Sequence, residues 1–189
     1  ACMTTCPSGV NYMHLIDHGR NHVEATYKRP LFDRLIRSIL SHTLPKPNVF
    51  LTLAIITKII KPFSFLFPSF IKNSLSLMPN KIPSKKIKNK RVHPSQGEKT
   101  IARVALLTGC VQRVISPEIN DSTIRLLNRH NVEVVVLPRI DCCGSLNHHL
   151  GKKELAHSSF KKNINLWHEE YLKNGLDAII SNTSGCGTT

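Results

Sequence analysis

The sequence predicts an α/β fold: a parallel-sheet domain at the C-terminus, preceded by a helical region and a short cysteine-bearing segment. Three observations predict it. Apolar, strand-like runs alternate with helical stretches over residues 100–189. Cysteines fall just past the end of each run. Charge is unevenly divided: of the 26 basic residues in the chain, 15 lie in residues 28–99, against two acids there, Asp33 and Glu98. A composition of 41% hydrophobic and 20% charged residues is that of a globular protein, not a disordered one.

The first segment, residues 1–27, carries Cys2, Cys6 and Pro7 as C-x3-C-P. That pattern is the tail of the bacterial ferredoxin run C-x2-C-x2-C-x3-C-P, so the segment reads as the C-terminal end of an α-helical ferredoxin-like domain. The first two cysteines of such a run would precede residue 1, which is Ala, so the sequence reads as a window on a longer chain. In two-cluster ferredoxins the fourth cysteine serves the other cluster, which would give Cys2 and Cys6 different [4Fe–4S] clusters. His14, His18 and His22 follow at helical spacing. No carboxylate or cysteine completes a metal site with them, so they read as a solvated helix face.

Residues 28–99 read as a helical connector and basic linker. Leu31 to Leu44 is amphipathic, with Phe32, Leu35, Ile36, Ile39 and Leu40 at helical spacing. Pro45, Pro47, Pro62, Pro68 and Pro79 then punctuate an apolar stretch. Its most apolar run, Val49 to Thr57, is interrupted by Lys58, Lys61 and Pro62, short of the about 20 residues a membrane span needs. Lys81 to Lys99 is basic and aperiodic, a solvated linker or a surface for acidic partners or anionic headgroups. The net charge of +14 alone suggests nucleic acid. The basic run has no interleaved aromatics and no nucleic-acid module accompanies it, so no nucleic-acid partner is expected.

Residues 100–189 give strand, helix, strand, helix, strand. Arg103 to Thr108 and the β-branched Val132 to Leu137 are strands. Between them Ser116-Pro117-Glu118 signals a helix start. Lys152 to Asn174 is a second helix, with Leu155, Ile164, Trp167 and Tyr171 inward and Gly175 capping it. Ala178 to Ser181 is the third strand. The alternation argues for parallel strands with right-handed crossovers.

Cys110, Cys142, Cys143 and Cys186 then all fall just past the carboxyl ends of strands, where open α/β sheets place their ligand sites. Buried inert cysteines would sit within strands, and adjacent Cys142 and Cys143 cannot both point into one core. Structural zinc favours C-x2–4-C knuckles, which are absent. Thiolates spread over separate loops suit an iron–sulfur cluster, with Gly144 and Gly185 letting backbone approach its sulfides. No Ser/His/Asp set, paired carboxylates or Gly-rich phosphate loop offers other chemistry.

CPSGV (6–10), RPLFDRLIR (29–37), LTGCVQ (107–112), PEIN (117–120), DCCGSLNHHLG (141–151) and SNTSGCG (181–187) occur in this order. Together they resemble the iron–sulfur subunit of bacterial glycolate oxidase (glycolate dehydrogenase), over essentially the whole chain. More distant resemblances are the lactate-utilisation iron–sulfur protein, the anaerobic glycerol-3-phosphate dehydrogenase C subunit and heterodisulfide reductase subunits. The resemblance implies a ferredoxin-like tail, a connector and a first cysteine-rich (CCG) repeat, truncated, at 100–189. It implies [4Fe–4S] ligation by Cys2 and Cys6, and a cofactor site at Cys110, Cys142, Cys143, Gly144, His149 and Cys186. It further implies an FAD-bearing partner subunit that oxidises glycolate to glyoxylate, a membrane quinone as acceptor, and a cytoplasmic location, peripheral on the inner membrane face. One departure is clear: the heterodisulfide reductase repeat ends in C-x2-C, whereas here Thr189 stands where the last cysteine would be. A zinc-binding basic nucleic-acid protein is the alternative of a different class.

Overall fold

The computed structural model describes residues 7–76, 91–140 and 142–187. Cys2, Cys6, most of the basic Lys81–Lys99 run, Asp141 and Thr189 lie outside the described residues. The first half is helical. Helix α1 spans Tyr12–Thr26, α2 Leu31–Thr43 and α3 Pro47–Ile60. A 3-10 turn over Lys61–Leu66 and helix α4, Ser69–Ser76, follow. Prolines start these pieces rather than break them. Pro47 sits in the first turn of α3 and Pro62 in the first turn of the 3-10 segment, where a missing N–H costs nothing.

Lys58, Lys61 and Pro62 therefore do not end the apolar run as the sequence suggested. The helical stretch continues over Pro47–Phe65, 19 residues with mean hydropathy 1.4, long and apolar enough to cross a membrane, and 11% buried. The expected apolar face of α2 is also largely exposed: Phe32, Leu35 and Ile39 are all about half open to solvent or more, and only Ser41 is buried. Phe50 and Ala54 of α3 make the inward contact of this half, against Val114.

The second half is a four-stranded sheet in the order β1-β3-β2-β4. The strands are β1 Val92–His93, β2 Ala102–Leu107, β3 Val132–Val135 and β4 Ala178–Ser181. Strand β2 is parallel to β3, with Val104 opposite Val134, and parallel to β4, with Ala105 opposite Ile179. These three strands are the expected ones. Strand β1 is an addition: it pairs antiparallel with β3, Val92 opposite Val135, inside a segment that reads as linker because two residues carry no period. The sheet is thus mixed, mainly parallel.

Helices α5 (Gln112–Ile115) and α6 (Pro117–Arg129) follow β2, and α7 (Ser145–His149) and α8 (Lys153–Asn174) follow β3. A short α9, Ser184–Gly187, follows β4. Alternate residues of β2 feed two cores. Val104 and Leu106 join Val134 and Ile124 of α6. Leu107 joins Val135, Leu137 and Ile140, with Leu166 and Trp167 of α8 packed against them. Successive side chains on a strand point to opposite faces, so α6 and α8 cover opposite sides of the sheet. Starting at β2, the chain goes to β3 on one side and then crosses to β4 on the other. The switch point lies between β2 and β4.

Helix α6 starts at Pro117 as expected, but Ser116 makes no side-chain cap. Helix α8 ends at Gly175, whose φ is +75°. The inward face of α8 differs from expectation. Ile164 and Tyr171 are about 60% exposed, while Ala156, Asn163 and Glu170 are buried. Glu170 is buried because its carboxylate takes Arg103 Nη2 at 2.7 Å, Asn174 Nδ2 at 2.9 Å and Arg91. Arg103 also reaches Glu133 at 2.5 Å and the Gly175 carbonyl at 2.6 Å. Burial pushes the Glu170 carboxyl up, but the Arg103 hydrogen bond and the neighbouring donors hold it below the ordinary value on balance.

Glu170→Ala is expected to cost about 1–3 kcal/mol, because it removes a carboxylate shared by Arg103, Arg91 and Asn174 and leaves Arg103 with Glu133 as its remaining charged partner. Urea denaturation at neutral pH measures it. The contribution of Glu170 is complete above the unfolded Glu value of about 4.3 and is lost as pH falls through the lower folded value. The gap between wild type and variant should therefore close on acidification.

Candidate metal centre

The carboxyl ends of β2, β3 and β4 bring the four sequence-predicted thiols together. Strand β2 exits through buried Thr108 and Gly109 to Cys110. Gly109 has φ +66°, a left-handed turn that suits glycine and swings Cys110 back over the sheet end. Cys142 and Cys143 follow β3, and Cys186 sits on α9 after β4. Cys110 and Cys142 are buried; Cys143 and Cys186 are half-buried. Cys110 Sγ lies 3.7 Å from Cys142 Sγ. Cys143 lies close enough to Cys142 and to Cys186 for their thiols to influence one another.

The thiols thus form a string from Cys110 through Cys142 and Cys143 to Cys186. Their floor is apolar: Cys143 and Cys186 pack on the core of Leu107, Val135, Leu137 and Ile140. Among the described residues no three His, Cys, Asp or Glu side chains form a group that could hold a metal ion. The donor chemistry nevertheless suits an iron–sulfur group. All four donors are soft sulfurs, and two backbone N–H groups already point at sulfur: Gly144 to Cys142 Sγ and Ser145 to Cys143 Sγ, each at 3.4 Å. Ser145 Oγ is 3.1 Å from Cys143 Sγ.

Proton sharing along the string polarises it. The hydrogen bonds from Cys142 and Cys186 hold the Cys143 thiol far below its ordinary value, against the opposing effect of burial. The Cys142 bond likewise lowers Cys110. Cys142 is pushed up by its bonds to Cys110 and Cys143, and Cys186 by its bond to Cys143. Protons are therefore favoured on Cys142 and Cys186, and Cys143 is the sulfur most disposed to carry negative charge.

Gly144 has φ +101°, and a Cβ there would stand 2.6 Å from Phe160 Cε1 of α8. Its glycine serves close packing of the loop on α8, and its N–H serves Cys142. Gly185 meets nothing within 4 Å, so no close approach explains it. Asn163, buried on α8, donates to the Cys142 carbonyl at 2.8 Å. Arg113 donates to Thr108 Oγ1 at 3.1 Å and to the Ile140 carbonyl at 2.9 Å, joining the loops after β2 and β3.

His149 faces another neighbourhood. Its Nδ1 is 3.1 Å from Asp17 Oδ1 and 3.3 Å from Arg20 Nη1, and His148 Nε2 is 3.1 Å from Asp17 Oδ2. Asp17 belongs to α1 and is buried there. Burial raises its carboxyl, while the His149 hydrogen bond and the charge of His148 bring it below the ordinary value overall. Sequence reading passed over Asp17; the nearest signal was its i, i+3 spacing from Arg20, an ion pair at 3.1 Å. Beside this junction Arg37 of α2 donates to the Leu150 carbonyl at 2.7 Å, and Lys152 to Ser41 Oγ at 2.9 Å. His14, His18 and His22 are solvent-exposed on α1, as expected of a solvated face.

A sheet of this topology with clustered thiols on its carboxyl edge defines a cysteine-rich α/β domain. The cysteine-rich domain family matches residues 104–189. The chain as a whole resembles the iron–sulfur subunits of bacterial glycolate oxidase. It is 35% identical to the glycolate oxidase iron–sulfur subunit of Escherichia coli strain K12, over 98% of this chain and 42% of that protein. It is 30% identical to the probable glycolate oxidase iron–sulfur subunit of Bacillus subtilis strain 168, over 99% of this chain and 44% of that protein. An uncharacterized iron–sulfur protein of Methanococcus maripaludis is 34% identical over 46% of the chain. The chain spans less than half the length of these relatives. No solved structure matches it significantly.

In the reduced, metal-free protein at neutral pH, iodoacetamide should label Cys143 before Cys142 and Cys186, because Cys143 combines thiolate character with partial exposure. Peptide mass spectrometry over a time course reads the order. Earlier labelling of Cys142 would refute this distribution of protons.

Proposed function

We propose that the chain is part of an iron–sulfur electron-transfer subunit of a glycolate oxidase, relaying electrons from a flavoprotein partner that oxidises glycolate to glyoxylate. The observation that carries this reading is the gathering of Cys110, Cys142, Cys143 and Cys186 at one sheet edge, with backbone N–H groups on two of the sulfurs. The relatives named as glycolate oxidase iron–sulfur subunits support it. On this reading Cys110, Cys142, Cys143 and Cys186 hold the cluster of the cysteine-rich domain, and Cys2 and Cys6 belong to [4Fe–4S] sites of the N-terminal domain. A bound cluster supplies one-electron chemistry that no side chain here can perform.

The remaining work falls to the chain itself. Cys143 presents the sulfur most disposed to carry negative charge. The N–H groups of Gly144 and Ser145 stabilise negative charge on Cys142 and Cys143 and so raise the potential. The apolar floor of Leu107, Val135, Leu137 and Ile140 keeps water from one side of the sulfurs. Residues 1–27 form the ferredoxin-like tail, 28–99 the connector and 100–189 the cysteine-rich repeat. His149 steadies the site from α7 through Asp17 rather than as a ligand. The partner carries FAD, the acceptor is a membrane quinone, and the subunit sits in the cytoplasm, peripheral to the membrane.

The full-length protein, purified anaerobically, should be brown, contain iron and acid-labile sulfide, and bleach with dithionite. Cys143→Ser should abolish glycolate-dependent dye reduction by the complex while the flavoprotein partner stays folded. A protein holding zinc alone, or a fully active Cys143→Ser complex, would sink the reading.

A further inference from the structure

Next to the thiols, at the switch point between β2 and β4, lies a closed ring of amides that the electron-transfer reading does not use. Gln112 Nε2 donates to Asn120 Oδ1 at 2.9 Å and to Asn182 Oδ1 at 2.8 Å. Asn182 Nδ2 donates to Asn120 Oδ1 at 3.0 Å and to Thr123 Oγ1 at 2.9 Å. Asn120, which is 0% exposed, donates to the Thr108 carbonyl at 2.9 Å. Thr183 Oγ1 donates to Gln112 Oε1. The three amides come from α5, α6 and the residue after β4, so the ring joins elements far apart in sequence.

The ring is internally consistent. Turning the Asn182 amide over would set its oxygen against Asn120 Oδ1 and its NH2 against that of Gln112. It is also saturated. Both amide hydrogens of Gln112 and both of Asn182 are already donated, so neither group is free to bind a ligand. Its contacts end instead on the two outer thiol loops. Thr108, whose carbonyl Asn120 holds, lies two residues before Cys110. Thr183, tied to Gln112, accepts the backbone N–H of Cys186 through its carbonyl at 3.0 Å. From the Cys110 loop to the Cys186 loop there is thus one continuous path of hydrogen bonds.

We propose that Gln112, Asn120 and Asn182 form a positioning clasp that fixes the Cys186 loop against the Cys110 loop, and so sets the spacing of the outer thiols that receive the redox group. This rests on the thiols being its site. Apolar side chains could fill the same space, but they would not select one registration of two loops. A half-buried polar network anchored on the fully buried Asn120 does, because a shifted loop removes the partners of that buried amide.

The test uses Asn182→Ala and, as a milder change, Thr183→Val, with Glu170→Ala as a control that weakens the opposite end of β2. In reduced, metal-free protein, diamide is the probe, and disulfide formation between Cys186 and Cys143 is followed by peptide mass spectrometry. In the full-length protein, iron per chain and the midpoint potential are read. Asn182→Ala removes three part-exposed hydrogen bonds and should slow the disulfide roughly tenfold or more. It should also lower iron content or shift the potential. Thr183→Val should do the same to a smaller extent, and Glu170→Ala should destabilise the fold yet leave the disulfide rate within about twofold of wild type. Wild-type disulfide rates in Asn182→Ala and Thr183→Val, or equal slowing in Glu170→Ala, would overturn the clasp. Because the diamide measurement needs no cluster, a full-length protein without iron would defeat the electron-transfer reading and leave the clasp to be judged on the disulfide rate alone.

Discussion

The constraint on which the thiol end depends is the burial of β2 on both faces. Val104 through Leu107 lie between α6 on one side and α8 on the other, each almost fully covered. A central strand so enclosed must deliver its next residues, Thr108, Gly109 and Cys110, into the interior as well. Loop backbone inside a protein carries polar groups that no ladder satisfies. Side chains must supply the missing partners, and they do so from helices on both faces. Asn120 of α6 reaches the Thr108 carbonyl, and Asn163 of α8 reaches that of Cys142. The cysteines are held in place as a consequence of satisfying the loops around them.

The other end of the same strand is handled with charge. Arg103 and Asp177 exchange two hydrogen bonds, from Arg103 N to Asp177 Oδ2 at 2.7 Å and from Asp177 N to the Arg103 carbonyl at 2.8 Å. Glu133 and Glu170 complete the pairing of the guanidinium. This end is wet enough for ions: Arg91 is half exposed and Glu133 about a quarter exposed. At the thiol end the guanidinium of Arg113 ties the loops after β2 and β3, while the contact between the loops after β2 and β4 is made by amides, which carry dipoles but no net charge. A carboxylate in the clasp would oppose thiolate formation at Cys110 and Cys143, as a like charge does for any acid.

The pattern of apolar residues made much of this legible. Three strands, the extents of α6 and α8, Gly175 at the helix end and the arrival of four cysteines on one sheet edge all follow from periodicity and punctuation. What the pattern concealed were buried polar residues whose partners lie far off in the chain. On α8 the apolar Ile164 and Tyr171 looked inward, yet Asn163 and Glu170 are the buried ones, because Cys142 and Arg103 await them more than twenty residues upstream. Strand β1 escaped for a related reason: two residues have no period, and Val92 joins the sheet only because β3 presents a free edge. Prolines misled in the opposite direction, since Pro62 continues a helical path when it falls at the start of a 3-10 turn.

Asp17 shows how the helical half is tied to the thiol end without touching a sulfur. Its carboxylate takes both His148 and His149, and those histidines lie on the short helix that begins immediately after Gly144. Any movement of α1 must therefore move α7 or break two hydrogen bonds to a buried carboxylate. Gly151 tightens the same contact: a Cβ there would meet the Arg20 carbonyl of α1 at 2.8 Å, so the backbones approach as closely as glycine allows. Since α1 begins five residues after Pro7, the helix that leaves the first cysteine motif is docked on the helix that leaves the second. Helices α1 and α7 are consequently held in one frame, whereas the amide ring fixes the loops after β2 and β4.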